Sequence, residues 1–403
     1  MCTRRLMAVL SLAAGLVLCA GTVPVWAGDV DGDGVDDAID VCPRTPLGIT
    51  VDIKGRPLGD IDQDCDVDLE DFAVFQQGMT GTIYPPAGMV LVPGGEFKMG
   101  DPWSEGGTNE LPVHTVYQRP YYIDKYEVTN RQYCDYLNSA FAQGLIEVSS
   151  GVVYKAGDTE PYCDTSISTS DSRIHWVGGV FTVTPGKEEH PMVLVSWYGA
   201  AAYANWRSAR DGLSPLYNLD LWTCNFGAGA VGYLLPTEAM WEKAAGWDPL
   251  QQRHFRFGEH TDGCGYNCLD AQRANYGGSD DPYEVGSQPW TTPVGFYNGK
   301  LHEKVDFGWP GTQRSYETQK AQSYYGCYEM SGNVWEWCND WYSSTYYSTS
   351  PSSNPTGPAS GSYRVTRGGC WIHIPDYSRS ASRNHPSPAE REFTTGFRCA
   401  LGT

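Results

Sequence analysis

The chain has 403 residues, with 48 aspartates and glutamates against 28 lysines and arginines, for a formal charge of −20 at pH 7. So acidic a surface repels a polyanion, which argues against nucleic acid as a partner. Hydrophobic residues make up 41% of the chain, with 14 tryptophans and 26 tyrosines, enough for a large aromatic core.

The N-terminus reads as an export signal. Arg4 and Arg5 form a basic start, residues 6–20 are apolar, and Val25-Trp26-Ala27 ends in a small residue suited to cleavage. The apolar run is too short and too near the terminus to span a membrane. Residues 1–27 are therefore expected to be removed and the remainder secreted. Cys2 and Cys19 leave with the signal, so 11 of the 13 cysteines remain. An oxidising compartment favours disulfides, and an odd count leaves one thiol over. Cys264 and Cys268 are the nearest local pair.

Residues 28–80 carry 14 acids against 3 bases, a net −11. Asp60, Asp62, Asp64, Asp66, Asp68 and Asp71 fall at positions 1, 3, 5, 7, 9 and 12 of an EF-hand-type loop, with Asp66 offering its carbonyl. Val67 would anchor the loop, and residues 69–77 would leave as a helix. Upstream, Asp29, Asp31, Asp33, Asp37 and Asp40 alternate with glycine at the turn. Hard oxygen donors at this spacing wrap calcium. The second loop resembles a dockerin repeat, with Cys65 where glycine is usual. The first resembles a thrombospondin type 3 repeat, with Ile39 replacing its internal cysteine. A dockerin resemblance implies a cohesin-type partner, but only one such loop is present, so a calcium-stiffened spacer is the leading reading of the segment.

Residues 81–88, with Tyr84-Pro85-Pro86-Ala87-Gly88, read as a stiff linker. From Met89 to the end the chain reads as one domain, residues 89–403. Met89-Val90-Leu91-Val92 and Phe97-Lys98-Met99, separated by Pro93-Gly94-Gly95, predict a hairpin. A helix capped by Thr129 is expected over residues 129–142. A second is expected over 196–210, with Trp197, Ala200, Ala201, Ala204 and Trp206 as its apolar stripe. A third opens at Pro236-Thr237-Glu238, with Thr237 as cap. Residues 147–190 are polar without clear periodicity and read as an inserted loop. Alternation in Gly332-Asn333-Val334-Trp335-Glu336-Trp337 predicts that Trp335 and Trp337 pack into different layers.

That last motif, with Arg367-Gly368-Gly369-Cys370-Trp371 and Gly396-Phe397-Arg398 after it, is similar to the signature of the formylglycine-generating enzyme (sulfatase-modifying factor) superfamily. Earlier motifs follow the same order: Pro93-Gly94-Gly95, Tyr126-Glu127-Val128-Thr129-Asn130, His190-Pro191, Leu235-Pro236-Thr237-Glu238 and Arg273-Ala274-Asn275-Tyr276. The resemblance implies an α+β fold with little regular secondary structure, related to C-type lectins. It also implies two calcium sites. One uses Asn275, the carbonyl of Tyr276, Asp281 (or Asp280) and the carbonyl of Tyr283. The other uses Glu329, the carbonyls of Gly332 and Val334, and Glu336. A different reading of Glu336 is that it closes a backbone turn.

Active members of the superfamily hold copper(I) between two cysteines five residues apart, and soft thiolates suit that ion. Here His373 falls at the first of those positions, and residues 374–379 contain no cysteine. Cys370 and His373, three apart, are the remaining candidate catalytic pair; a core thiol beside a surface histidine is the plainer reading. The resemblance places Cys399 in a disulfide whose usual partner position is Ala204 here, which leaves Cys370 or Cys338. Arg379, Arg383, His385 and Arg391 would either pair internally or bind a carboxylate. Two functions stand: a calcium-stabilised module or pseudoenzyme binding a peptide or glycan, or an oxidase acting on protein cysteine.

Overall fold

The computed structural model describes residues 86–166, 171–227, 229–258 and 269–402. The export signal, both aspartate-rich loops (Asp29 to Asp71) and the Cys264/Cys268 pair lie outside these residues.

Three helices form where their caps predict them. The first, α1 (Asn130–Ala142), starts at Thr129, whose hydroxyl accepts from the Gln132 amide while the Gln132 side chain returns to the Thr129 amide. The second, α2 (Trp197–Arg210), is capped by Ser196, and α3 (Glu238–Gly246) by Thr237. Trp197, Ala200, Ala201 and Ala204 are fully buried, and the small alanines let α2 pack closely. Trp206, at the end of the predicted stripe, stays half-buried and donates its Nε1 hydrogen to Ser139 on α1 at 3.0 Å.

The expected hairpin does not form. Met89–Val92 pairs antiparallel with Tyr121–Asp124, and Gly95–Met99 pairs with His114–Gln118. The two runs differ in kind: the first is largely buried on both faces, whereas the second alternates. They therefore belong to separate sheets. The stretch read as an inserted loop holds short strands instead. Ile146–Ser149, Val152–Lys155 and Pro161–Asp164 form one antiparallel sheet, and Ile174–Val177 pairs with Val180–Val183. Four-residue strands are too short to show a period, but Gly178-Gly179, both at positive φ (64° and 90°), is a hairpin-turn signal.

The C-terminal motifs meet side by side. Trp335–Trp341 is central, antiparallel to Arg364–Arg367 and parallel to Thr395–Gly396. The chain then continues into Ala400–Gly402, which lies between Tyr121–Asp124 and Tyr233–Leu234. Trp337 joins the main core, while Trp335 packs separately with Cys370 and Trp371, as the alternation required.

The expected bond from Cys399 to Cys370 or Cys338 is not made, and none of the three is in a disulfide. Cys399 and Cys338 sit in the main core and Cys370 in the separate tryptophan cluster, so local packing settles these thiols without a staple. No helix among the described residues is long and apolar enough to cross a membrane.

Candidate functional site

The loop before the central strand organises the site. Gly332 (φ 86°) and Asn333 (φ 58°) both adopt left-handed backbone, which glycine and asparagine tolerate best. The turn aims the Asn333 amide at the Asn275 carbonyl (2.8 Å), and the Asn333 carbonyl accepts from the Trp371 amide (2.9 Å). The Asn333 side chain donates to Glu127 Oε2 at 2.6 Å and accepts from the Thr292 amide at 3.0 Å.

Three buried carboxylates surround this turn: Glu127, Glu329 and Glu336. Only Glu336 has a full counter-charge. Arg398 reaches both of its oxygens, Nε to Oε2 at 2.6 Å and Nη2 to Oε1 at 2.7 Å, and Trp241 donates to Oε2 at 2.8 Å. Glu336 is therefore the partner of a buried arginine rather than the cap of a turn. Burial pushes the Glu329 carboxyl up to about 8. It pushes Glu127 well above the carboxylate range, with the Glu329 and Glu336 charges adding to the effect. Glu329 Oε1 accepts from the Gly295 amide, but Oε2 is buried with no hydrogen-bond partner among the described residues. Three buried carboxyl groups thus share one guanidinium, and one carboxylate oxygen among them is left unpaired by hydrogen bonding.

Asn275 and Asp281 of the other expected calcium site are both buried. Asp281 is the buried acid, with Oδ1 accepting from the Tyr283 amide and Oδ2 from the Ser279 hydroxyl, and burial raises its carboxyl to about 6. Asp280 is exposed. The Tyr276 carbonyl accepts from the Ser279 amide, and Asn275 donates to the Trp290 carbonyl at 2.7 Å. Among the described residues no three histidine, cysteine or acidic side chains are grouped to hold a metal ion. Either site would therefore depend on backbone carbonyls.

Cys370 and His373 do meet, with Sγ 3.3 Å from Nδ1. Trp335 Nε1 lies 3.0 Å from the same Nδ1. An indole nitrogen only donates, so Nδ1 is an acceptor and the neutral ring carries its proton on Nε2. Burial holds His373 below its ordinary value and pushes the Cys370 thiol up to about 12. A thiol is nucleophilic as the thiolate, and Cys370 is completely buried. Cys370 packs with Trp335 and Trp371 in the separate tryptophan cluster.

Ser378, which sequence reasoning did not single out, lies in the segment where no cysteine occurs. It is buried, and its Oγ has no hydrogen-bond partner among the described residues. Residues 374–379 hold no second sulfur to accompany a ligand at the His373 position, so the two-thiolate set that the resemblance implies for copper(I) is not present there. Trp335 and Trp371 are themselves buried. The apolar surface beside His373 comes instead from Ile372, Ile374 and Tyr377, exposed by 44, 56 and 50%. Arg379 pairs with both oxygens of Glu110 and Arg383 with both of Glu238. His385 stacks on Tyr342 at 4.2 Å. Arg391 reaches only the Ala389 carbonyl and has no acid partner among the described residues.

Glu127 and Arg398 also escaped notice as site residues, although both lie inside motifs quoted above. The available signal was a charged residue embedded in an otherwise apolar or aromatic motif.

The family model described as the sulfatase-modifying factor enzyme 1-like domain matches residues 76–402. The chain is 31% identical to the formylglycine-generating enzyme of Streptomyces coelicolor, a match covering 78% of this chain and 88% of that one. It is 33% identical to the serine/threonine-protein kinase Pkn1 of Chlamydia caviae over 78% of this chain, and there the match spans only 38% of the relative's length. Among solved structures, PvdO from Pseudomonas aeruginosa matches 78% of this chain and 94% of its own at 25% identity, with a TM-score of 0.49.

Proposed function

The chain belongs to the sulfatase-modifying factor enzyme 1-like family, and from that premise we propose that it is an exported, calcium-stabilised binding module that lacks the copper oxidase chemistry of formylglycine-generating enzymes. The observation that carries this reading is His373 at the first expected sulfur position with no cysteine in residues 374–379, beside a single buried thiol, Cys370. The ligand is an extended peptide or glycan lying across Ile372, His373, Ile374 and Tyr377. Exposed apolar residues gathered around one polar group are typical of binding surfaces.

Incubation of the purified protein with copper and a Cys-x-Pro-x-Arg peptide tests the reading against the oxidase alternative. The peptide thiol is expected to survive. Aldehyde formation at the cysteine, abolished by Cys370→Ser, would establish the oxidase instead.

Calcium would be held at two places in the domain. Glu329 with the carbonyls of Gly332 and Val334 forms one, with Glu336 remaining on Arg398; Asn275, Asp281 and the carbonyls of Tyr276 and Tyr283 form the other. The orphaned Glu329 oxygen supports the first. Calcium added back after chelation is expected to raise the thermal midpoint, since a hundredfold excess over Kd stabilises by about 2.7 kcal/mol. A rise that persists in the Glu329→Gln/Asp281→Asn double variant belongs to the aspartate loops of residues 28–80; no rise at all removes calcium from the account. Relation to C-type lectins and release after cleavage at Ala27 complete the proposal. A mature N-terminus other than Gly28, read by mass spectrometry of the exported protein, would contradict the last.

A further inference from the structure

We infer that the cleft between α1, α2 and the sheet of Ile146–Ser149, Val152–Lys155 and Pro161–Asp164 binds a small, uncharged aromatic molecule. The cleft has a volume of about 500 Å³, within the roughly 300–1,000 Å³ of small-ligand pockets. Tyr136, Ala140, Ile146, Tyr162 and Ala202 line it as a buried floor. Its mouth, at Gln143, Leu145, Ala209 and Arg210, is exposed. Close-packed interiors leave few voids larger than a water molecule, so a hollow of this size over an aromatic floor is room for a ligand. None of its lining residues belongs to the surface around His373.

The walls are set before any ligand arrives. Trp206 donates its indole hydrogen to Ser139 Oγ at 3.0 Å, and the Gln143 side-chain amide reaches the same oxygen at 3.1 Å. The Trp206 ring lies 5.6 Å from that of Tyr136, which in turn meets Tyr203 at 5.8 Å. Asn205 is bonded both ways to the Tyr217 backbone, at 2.7 and 2.9 Å. The charges at the mouth already have partners. Arg210 holds both oxygens of Asp211 (2.7 and 3.1 Å), and Lys155 pairs with Asp158 (3.8 Å) and with Asp220. A charged ligand would therefore enter an apolar cleft without a free counter-charge, and a sugar would bring more hydroxyls than the cleft can satisfy. What remains free is on the floor. Tyr136 and Tyr162 are 3 and 1% exposed, and neither hydroxyl is hydrogen-bonded to a described residue. Burial raises both phenols above their ordinary range, so both keep their protons. Buried hydroxyls are normally bonded, so these two are the groups a ligand would satisfy. Aromatic walls above two O–H donors suit a planar apolar ring system carrying an oxygen acceptor.

The test is calorimetric titration of the intact protein with 2-naphthol, a neutral fused-ring phenol. Saturable binding is expected. Naphthalene-2-sulfonate, the same rings with a fixed negative charge, should bind about tenfold more weakly or worse, because its charge finds no free partner. Ala209→Trp alters an exposed helix position and narrows the mouth, and should weaken 2-naphthol by about tenfold. The double variant Tyr136→Phe/Tyr162→Phe keeps both rings and should weaken it by about threefold or more, the worth of one hydrogen bond. Absence of saturable binding to the native protein would overturn the inference. So would native-like affinity in Ala209→Trp, since the probe would then sit on another apolar surface. Equal or tighter binding of the sulfonate would mark an anion site instead, and unchanged affinity in the double variant would remove the hydroxyls from the account; either result counts against the inference. The comparison of the two probes needs only the native protein, so it stands even if a variant fails to fold. No probe is a peptide or glycan, so a failure at the His373 surface leaves this result standing.

Discussion

Replacing Arg398 with methionine is expected to lower the unfolding free energy by about 3–5 kcal/mol, the usual consequence of removing one partner of a buried ion pair. Arg398 is completely buried. Besides its two bonds to Glu336, it donates to the carbonyls of Asp124 (3.0 Å) and Tyr328 (2.8 Å). It therefore ties the end of the Tyr121–Asp124 strand, the Tyr328 loop and the central Trp335–Trp341 strand into one unit. It also supplies the counter-charge beside a cluster of three acids, so the variant leaves Glu336 held by Trp241 alone, with Glu127 and Glu329 still close. Pairing the change with Glu336→Gln should restore part of the loss, because the orphaned charge goes with it; coupling energies for such contacts run to about 0.5–3 kcal/mol. Urea denaturation of the four proteins, with m-values compared to confirm two-state unfolding, measures both quantities. A loss below about 1 kcal/mol for Arg398→Met, on the same scale, would mean the pair does not secure the site.

The helices were legible because each carries its own punctuation. Thr129, Ser196 and Thr237 are all N-caps in the structure, and a capping hydroxyl is a local signal that needs no knowledge of the rest of the chain. Strand partnership was not legible. Met89–Val92 and Gly95–Met99 are neighbours in sequence, yet they pair with strands some thirty and twenty residues onward. The information lies in which faces become buried, and that is decided by packing against Ala400–Gly402 at the far end of the chain. The site shows the same division. The absence of a second sulfur near Cys370 could be read directly, as could the layer assignment of Trp335 and Trp337. The pairing of Glu336 with Arg398, 62 positions apart, could not, because either residue alone reads as a surface charge or a metal ligand. Cys370 and His373 illustrate a third case. Their spacing correctly brought them together, but the indole of Trp335, which occupies the imidazole nitrogen, decides what the pair can do, and nothing in the spacing points to it.

Gly332→Ala should be the most damaging single methyl in the site. At φ 86° an alanine incurs about 1–2 kcal/mol of backbone strain. Its Cβ would also lie 2.1 Å from the Asn275 carbonyl oxygen and 2.9 Å from the carbonyl carbon. Backbone cannot swing aside as the end of a flexible side chain can, so overpacking adds about 1–3 kcal/mol, for a total of about 2–5 kcal/mol. The effect should spread along a defined route. Asn275 moves, so the Asn333 amide loses its acceptor; the Asn333 side chain then releases Glu127, and its carbonyl releases the Trp371 amide. Both the carboxylate cluster and the Cys370 layer would loosen together, and the stabilisation by calcium should fall with them. Gly278→Ala is the matched control. Its φ is 87°, but an added Cβ meets nothing within 4 Å, so it should show the backbone strain without the collision. Denaturation midpoints of the two variants, each with and without calcium, separate the contributions. If Gly332→Ala were no worse than Gly278→Ala, the close approach of Gly332 to Asn275 would not be what holds the acidic turn in place.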